Sequence, residues 1–190
     1  MIVILVGIVT EVLYYAACSL DGYIATADGG VGWLDRFQSS GDDYGFNEFY
    51  SSLDSIVMGS KTYEFALTHG PWRSADKSTW VFTRRDLQVA HPSVTLTSED
   101  PEQVMDTIRD RGLKRVWLMG GGELAASFRV RGLISHYMIA VIPVVLGGGI
   151  RLFADGGRED SLKLVEAKTS PSGIVQLNYE AVRSARGRRS

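Results

Sequence analysis

Residues 115–128 combine an apolar run, three consecutive glycines and a segment rich in helix-forming residues. An apolar run that ends in glycine and continues as a helix is typical of an α/β fold with a parallel sheet. Glycine lets the backbone approach a ligand closely, and the free N–H groups at the start of the helix favour an anion. The segment therefore predicts a parallel sheet with a site for a nucleotide or a phosphorylated ligand at one strand end.

The length and composition fit one globular domain. With 190 residues, 45% of them hydrophobic, the chain can bury a sizeable core. We expect a single domain over 1–190, in which 1–12 lead into the first strand and 184–190 form a frayed tail. The formal net charge of −2 argues against a nucleic-acid partner. The apolar run 1–9 is too short to span a membrane, so we expect no membrane partner.

The cysteine and histidine residues give no indication of a metal site. The single cysteine, Cys18, excludes an intramolecular disulfide and a site built from several cysteines, and it fits a reducing cytoplasm. His69, His91 and His136 are dispersed along the chain, and we interpret them as exposed or hydrogen-bonded within the fold. We therefore predict a cytoplasmic protein without a metal ion.

Apolar β-forming runs alternate with helical segments over most of the chain, which implies parallel strand pairing. Helices are predicted at 43–53, where apolar side chains share one face, and from Asp100 and Pro101 to Gly112. The last two runs are joined by a short turn, and the final run alternates apolar and polar residues, which predicts an antiparallel hairpin. The predicted strands are 12–17, 55–58, 79–83, 94–97, 115–119, 135–145, 162–168 and 174–182.

Two further strand ends carry groups that suit a phosphate. After 55–58 the chain runs through Gly59 into a helix, so that Lys61, Thr62 and free amides would converge on an anion. The run 79–83 is followed by the adjacent Arg84 and Arg85, which suit a ribose 2′-phosphate and favour NADP over NAD. As alternatives, the glycines could form a tight turn without a ligand, and the arginines could belong to a solvated turn.

The glycine triplet also matches, formally, the fingerprint of Rossmann dinucleotide sites. However, it lies far along the chain, and no acid near position 140 is available to hold a ribose. A Walker loop is excluded because no Gly-Lys-Ser/Thr follows.

Taken together, the motifs resemble the dihydrofolate-reductase-like superfamily, over about 13–182. The resemblance is closest to the branch named for the C-terminal reductase domain of the bifunctional riboflavin-biosynthesis (RibD) enzymes. The motifs that carry it are SLDGYIA (19–25), MGSKTYE (58–64), VFTR (81–84), MGGG (119–122) and IPVVLGGG (142–149). The zinc-deaminase signature of the bifunctional enzymes is absent from the sequence, so the chain corresponds at most to their reductase half.

The resemblance implies a three-layer α/β/α fold with a mixed, mostly parallel central sheet and a C-terminal antiparallel hairpin. It also implies NADPH as the cofactor, with Ile24 and Ala25 against the nicotinamide. Two departures, Ser60 and Glu123 in place of basic residues of some relatives, remove positive charge from the cofactor site. The other cofactor-binding residues that the resemblance implies are Gly59, Lys61, Thr62, Thr83, Arg84, Arg85, Met119, Gly120, Gly121, Gly122 and Leu124.

Two acids compete for the catalytic role. Hydride transfer to an imine-like carbon builds negative charge on nitrogen, so a carboxyl group with a raised pKa, or one that orients water, would help. By resemblance, Asp21 faces the substrate in the riboflavin-type relatives, and Asp43 matches the helix acid of dihydrofolate reductases. Asp43 is also a natural N-cap residue. We place Asp21 slightly ahead and keep Asp43 as the alternative.

The resulting hypothesis is an NADPH-dependent reductase of a pyrimidine- or pterin-like small molecule, of the 5-amino-6-(5-phosphoribosylamino)uracil reductase type. The alternatives are dihydrofolate reductase activity and a nucleotide-binding module that kept the fold without catalysis. Because related reductases often pair through sheet edges and the strand near 139–145, the resemblance also implies a homodimer.

Overall fold

The computed structural model describes residues 9–38, 42–155 and 159–182. Most of the expected lead-in (1–8) and all of the expected frayed tail lie outside the described residues. The strands are β1 (Glu11–Ser19), β2 (Tyr23–Ala25), β3 (Ser55–Gly59), β4 (Ser78–Phe82), β5 (Val94–Thr97), β6 (Arg115–Gly120), β7 (His136–Ile142), β8 (Ile150–Arg151), β9 (Leu162–Thr169) and β10 (Val175–Ala181). The helices are α1 (Asp35–Gln38), α2 (Phe46–Ser51), α3 (Ser60–Thr68), α4 (Pro101–Asp110) and α5 (Gly122–Val130).

An eight-stranded sheet in the order β5-β4-β3-β6-β1-β7-β10-β9 forms the middle layer. Within it, β10 runs antiparallel to both of its neighbours, while the other pairs are parallel. Buried side chains of α4 and α5 pack on one side of the sheet, and those of α2 and α3 pack on the other. The predicted α/β fold, with a mostly parallel sheet and a C-terminal antiparallel hairpin, is confirmed.

The start of α4 shows how local sequence sets an element. The Asp100 side chain accepts a hydrogen bond from the Glu102 backbone N–H, and the Gln103 side chain accepts one from the Asp100 N–H. Pro101 occupies the first helical position, where its missing N–H costs nothing. Val104, Met105 and Ile108 then face the core. The capping residues and the helical spacing of the apolar residues therefore both favour the predicted helix.

The predicted helix at 43–53 is shorter in the structure, where α2 covers only Phe46–Ser51. The reason lies just before it, because Tyr44 and Gly45 have positive φ angles of 51° and 79° and interrupt a helix. Tyr44 is held by tertiary contacts: its carbonyl accepts a hydrogen bond from Gln176 Nε2 (2.8 Å), and its hydroxyl lies 3.2 Å from Ser172 Oγ. The sequence pattern could not reveal these contacts with the hairpin.

Two further differences concern the strands. The strand predicted at 135–145 ends at Ile142, because Pro143 lacks the N–H that a ladder needs. The small antiparallel sheet formed by β2 and β8 was not predicted, since segments of three and two residues carry no periodicity. β7 lies between β1 and β10, so the strand near 139–145 has neighbours on both sides.

The described part of the chain contains no helix that is long and apolar enough to cross a bilayer.

Candidate functional site

The three strand ends predicted to bind phosphate are neighbours at one edge of the sheet. β4, β3 and β6 are consecutive and parallel, and their carboxyl ends therefore meet. Gly59 of β3 pairs with Phe82 of β4, and Met58 pairs with Gly120 of β6. The segments brought together at this edge are 59–62, 83–85 and 119–124.

Two helices begin at this edge, and glycine is the N-cap residue of both. α3 follows Gly59 and α5 follows Gly121, and the two helices pack on opposite sides of the sheet. Glycine has no side chain that could accept hydrogen bonds from the first-turn N–H groups. Those N–H groups and the two helix dipoles therefore favour an anion in the crevice between them.

Two glycines of the triplet are required by the fold itself. A Cβ on Gly122 would lie 2.5 Å from the Arg151 carbonyl oxygen, where β8 crosses the start of α5. Gly120 has a φ of +115°, in the region that favours glycine. The peptide bond between Gly120 and Gly121 is cis.

Gly59 and Gly121 have no such explanation within the fold. Their φ angles of −82° and −78° suit any residue. A Cβ on Gly59 would lie 3.8 Å from Gly120 O and Gly121 N, and one on Gly121 would lie 3.9 Å from Thr62 Oγ1, all ordinary contacts. The chain thus leaves space at both Cα atoms, which is what close approach of a phosphate to the backbone needs. We call the space between Gly59, Gly121 and Thr62 the cradle.

The remaining residues assigned to this edge have different surroundings. Lys61 and Glu123 are exposed in the first turns of α3 and α5, whereas Ser60 is half-buried. Met119 and Leu124 pack against the core on the two sides of the sheet. A positive charge (Lys61) and a negative charge (Glu123) therefore flank the cradle, and the apolar side chains of Met119 and Leu124 anchor the adjoining backbone in the core.

The turn after β4 distinguishes the two arginines that were predicted to meet a 2′-phosphate. Thr83 Oγ1 accepts a hydrogen bond from Arg85 N (2.9 Å), so Thr83 shapes this turn. The Arg85 guanidinium donates to both carboxylate oxygens of Glu64, at 3.1 and 2.5 Å. Arg84 is exposed and has no ion-pair partner in the described ranges. Of the two guanidinium groups, Arg84 is the one available to an anion.

Ile24 and Ala25, the predicted nicotinamide wall, lie on β2. Ala25 is buried and Ile24 packs against the core. β2 is held by β8, and a Cβ on Gly149 would lie 2.1 Å from the Ala25 carbonyl oxygen. The position of this wall thus depends on the chain segment that follows β7.

Asp21 lies in the loop after β1, and its carboxylate accepts hydrogen bonds from backbone amides. Oδ1 accepts from Leu146 N (3.0 Å) and Oδ2 from Gly147 N (2.7 Å). The side chain is exposed. Hydrogen bonding, first from the Ser19 hydroxyl and then from these amides, lowers the pKa of Asp21 from 3.8 to about 2. Asp21 is therefore ionised at neutral pH.

Asp43 caps the turn that leads into α2. Its carboxylate accepts hydrogen bonds from Gly45 N (2.9 Å) and Asn47 N (3.2 Å), and these amides, Gly45 first, lower its pKa. Asp43 also contributes, after burial, to the raised pKa of Tyr15. The N-cap residue of α2 is Gly45, so the interpretation of Asp43 as the N-cap residue is wrong in position, and Asp43 instead accepts these hydrogen bonds from a place two residues before the N-cap.

A groove of about 620 Å³, which the sequence analysis missed, lies between α2 and the strands β7 and β10. Tyr15, Phe49 and Met138 supply aromatic and apolar surface, and Gln176 and Asn178 supply amides. The Oδ1 atom of Asn178 is buried without a hydrogen-bond partner among the described residues. The sequence signal for this groove was the alternation of apolar and polar residues along 174–182, but that alternation predicted a half-buried strand and no ligand site.

Two of the histidines and the cysteine are placed as the sequence indicated, whereas the prediction for His136 is wrong, because its Nδ1 is buried without a hydrogen-bond partner among the described residues. His69 and His91 make local hydrogen bonds, to Phe65 O and Ser93 Oγ respectively. Cys18 is buried, and burial, followed by the nearby Asp21, raises its thiol pKa to about 11. Within 9–38, 42–155 and 159–182, no cluster of histidine, cysteine and acidic residues could hold a metal ion.

Comparison with protein families gives a match over nearly the whole chain. The model of the RibD C-terminal domain matches residues 10–176. YwjB of Bacillus subtilis (strain 168), an uncharacterized protein, is 35% identical over 170 residues, which cover 89% of this chain and 97% of YwjB.

Solved structures show the same fold. A Shewanella sp. PV-4 protein whose name refers to riboflavin biosynthesis has a TM-score of 0.82 at 24% identity, covering 92% of this chain and all of that one. The Thermotoga maritima diaminohydroxyphosphoribosylaminopyrimidine deaminase/5-amino-6-(5-phosphoribosylamino)uracil reductase has a TM-score of 0.68 at 16% identity. That comparison covers 91% of this chain and 57% of the bifunctional protein.

Proposed function

Because this chain belongs to the RibD C-terminal domain family, we propose that it is a cytoplasmic, NADPH-dependent reductase. Its proposed substrate is a pyrimidine- or pterin-like heterocycle of the 5-amino-6-(5-phosphoribosylamino)uracil type. Family membership supports reductase chemistry in general, and the cofactor and the substrate class are argued from the residues of the site.

The cradle is the observation that carries the proposal. Gly59 and Gly121 both have room for a Cβ and ordinary φ angles, so neither packing nor φ demands glycine at either position. Both lie at helix N-termini, where unpaired N–H groups favour a phosphate. The residues present therefore fit the diphosphate of a dinucleotide, with Thr62 and Lys61 beside it.

Arg84 supports NADPH over NADH. A ribose 2′-phosphate needs a cationic partner, and Arg84 offers a guanidinium that no described acid neutralises. Since Ser60 and Glu123 remove positive charge from this edge, the preference for the phosphorylated cofactor depends on Arg84 more than on any other side chain.

The groove beside α2 supports a heterocyclic substrate. Tyr15 and Phe49 offer aromatic surface, and the amides of Gln176 and Asn178 can match the N–H and C=O groups of a pyrimidine or pterin ring. Bound NADPH would supply the hydride, while Ile24 and Ala25 would orient the nicotinamide. A proton must also reach the nitrogen on which charge develops.

The two acids favour a second candidate, a nucleotide-binding module without catalysis. Asp21 and Asp43 both accept hydrogen bonds from backbone amides, which lower their pKa values. Neither carboxyl group is thus set up to carry a proton at neutral pH.

The cofactor proposal is tested by fluorescence titration of the Gly59→Ser variant with NADPH. Serine is a good N-cap residue, so the variant should fold as well as the wild type. Its side chain would occupy the cradle, and we expect the Kd for NADPH to rise by about 100-fold. The matched control is Gly32→Ser, where a Cβ would lie 3.7 Å from Asp35 Oδ2, an ordinary contact, and the affinity should not change.

Wild-type protein that shows no saturable NADPH binding would refute the proposal, as would an unchanged affinity in a folded Gly59→Ser variant. Oxidation of NADPH by 5-amino-6-(5-phosphoribosylamino)uracil or by dihydrofolate separates the two candidates. Tight binding without oxidation by either compound would favour the binding module.

We also propose that the protein is a homodimer that pairs through β9. This strand is the last in the sheet, and each of its eight residues is exposed. Leu164 and Val165 are 50% and 54% exposed, which is costly for apolar side chains on an unpaired edge. Light scattering should give twice the 20.9 kDa mass of the chain, and the mass of a single chain would contradict the proposal.

A further inference from the structure

The loop after β1 (residues 20–22) is joined to the loop between β7 and β8 (residues 143–149). The Leu20 N–H donates to Val144 O (2.7 Å). Both carboxylate oxygens of Asp21 accept hydrogen bonds from backbone amides of the second loop. The contacts continue into β2, which pairs with β8. The β2 wall is therefore connected to the loop after β7 as well as to the core.

Asp21 is the side chain that crosses between these loops. Oδ1 and Oδ2 accept hydrogen bonds from two different amides, those of Leu146 and Gly147, and the nearby Ser19 hydroxyl lowers the pKa of the same carboxylate. Ser19 Oγ in turn accepts a hydrogen bond from Tyr23 N (2.9 Å), at the start of β2. The carboxylate thus joins the second loop to the loop that leads into β2, two residues after the hydroxyl that accepts a hydrogen bond from the first residue of that strand.

This link matters because the sheet that carries the wall is small. β2 has three residues and β8 has two, and an isolated two-stranded pair of this size is not stable on its own. The close fit of Gly149 against the Ala25 carbonyl means that movement of the second loop would displace the wall directly. Contacts outside the two strands therefore help to fix Ile24 and Ala25, in addition to their packing against the core.

We propose that Asp21 is a positioning residue, which clamps the loop after β1 to Leu146 and Gly147 and thereby holds the nicotinamide wall. It acts through the backbone of β2 and does not touch the reacting atoms. The inference rests on the proposed function, because the wall orients a ring only if a nicotinamide binds there. The carboxylate serves as an acceptor in this role, and the proton of the reaction comes from another group.

The test compares Asp21→Asn and Asp21→Ala with Asp28→Asn. An asparagine can accept only one of the two amides and turns its own NH₂ group toward the other donor, and alanine accepts neither. Asp28 is a matched control, because it is also exposed and its carboxylate accepts hydrogen bonds from Thr26 and Gly30 within its own turn. Amide hydrogen exchange is measured by NMR, and NADPH affinity by fluorescence titration.

We expect the amides of Leu146 and Gly147 to exchange at least about tenfold faster in both Asp21 variants. The Kd for NADPH should rise by about tenfold, since the misplaced wall no longer matches the nicotinamide. In Asp28→Asn, the exchange of these two amides and the Kd for NADPH should equal those of the wild type.

Unchanged exchange of these amides in Asp21→Ala would overturn the clamp. Faster exchange with unchanged NADPH affinity would overturn the positioning role. If Asp21 were instead the proton donor, Asp21→Asn would lower kcat by about 100-fold or more and would leave the Kd for NADPH intact. Failure of the wild type to bind NADPH would count against the proposed function, and the exchange rates would still decide whether the clamp exists.

Discussion

The cradle and the acids lie at the same end of the sheet, but different parts of the chain determine them. The cradle is built from backbone: Gly59 and Gly121 end adjacent strands and begin helices. The acids are placed by tertiary hydrogen bonds, because Asp21 accepts amides from a loop more than 120 positions away. A backbone site follows from element order, whereas the role of an acid depends on which donors the fold brings to it.

The same contrast exists within the glycines of the cradle edge. Glycine is required at position 122 because a Cβ there would clash with the Arg151 carbonyl oxygen, whereas a Cβ on Gly59 would make only ordinary contacts. Substitution at Gly122 should therefore affect the fold, and substitution at Gly59 should affect the ligand. Substitutions at Gly122 and at the charged residues of the site test whether groups fixed by the fold can be separated from groups left open for a ligand.

Gly122→Ala should destabilise the protein by about 2 kcal/mol. Its Cβ would lie 2.5 Å from a backbone oxygen of β8, and a backbone atom cannot move away as a flexible side chain can. Chemical denaturation measures the free energy of unfolding. Gly32→Ala serves as the control, since its Cβ would have only an ordinary contact with the Asp35 side chain. Equal stability of Gly122→Ala and the wild type would show that β8 does not constrain the start of α5.

Arg84→Ala should raise the Kd for NADPH by about 10- to 100-fold, the usual cost of a lost charge-assisted hydrogen bond to phosphate. The Kd for NADH should stay the same, because NADH lacks the 2′-phosphate. Titration of both cofactors, monitored by fluorescence, measures the two values. Equal losses for NADPH and NADH would contradict a 2′-phosphate role for Arg84.

Arg85→Ala is the neighbouring control, with a smaller expected effect. Arg85 is paired with Glu64, and exposed ion pairs of this kind contribute little to stability. We expect a change in NADPH affinity of less than about threefold. A loss as large as that in Arg84→Ala would mean that Arg85 leaves Glu64 when the cofactor binds.

Most of the architecture could be predicted from the sequence, because each layer has a local signal. The α4 helix carries its own cap and proline, and the hairpin has a turn between two β-forming runs. The start of α2 could not be predicted, since it depends on contacts of Tyr44 with Gln176 and Ser172. The pair β2 and β8 was also missed, because it is held by tertiary contacts and not by periodicity.

In the candidate site, the meeting of three strand ends followed from parallel strand order. The division between Arg84 and Arg85 could not be predicted, since the partner of Arg85, Glu64, lies on another element. The hydrogen bonds of Asp21 could not be predicted either, because the two amides that donate to it belong to a loop without regular structure. Sequence patterns thus identified which groups are present, and the tertiary fold determined which of them are free.

Asp43→Asn should have the smallest effect and isolates the second acid. Asparagine can accept only one of the two amide hydrogen bonds that Asp43 accepts, so the melting temperature should fall slightly, while the Kd for NADPH should not change. We expect kcat to fall by less than about tenfold, because a carboxylate held ionised by amides is a poor proton donor. A fall of about 100-fold or more, with binding intact, would instead make Asp43 the catalytic acid.

Acidification gives an independent check on the hydrogen bonds that Asp43 accepts. Its pKa is lowered from 3.8 by the Gly45 and Asn47 amides, so the stabilisation is present above pH 3.8 and is lost as the pH falls below that value. Asp43→Ala should therefore melt below the wild type at pH 7, and the difference should shrink at pH 3. A difference that stays constant between these pH values would show that these hydrogen bonds do not depend on the ionised carboxylate.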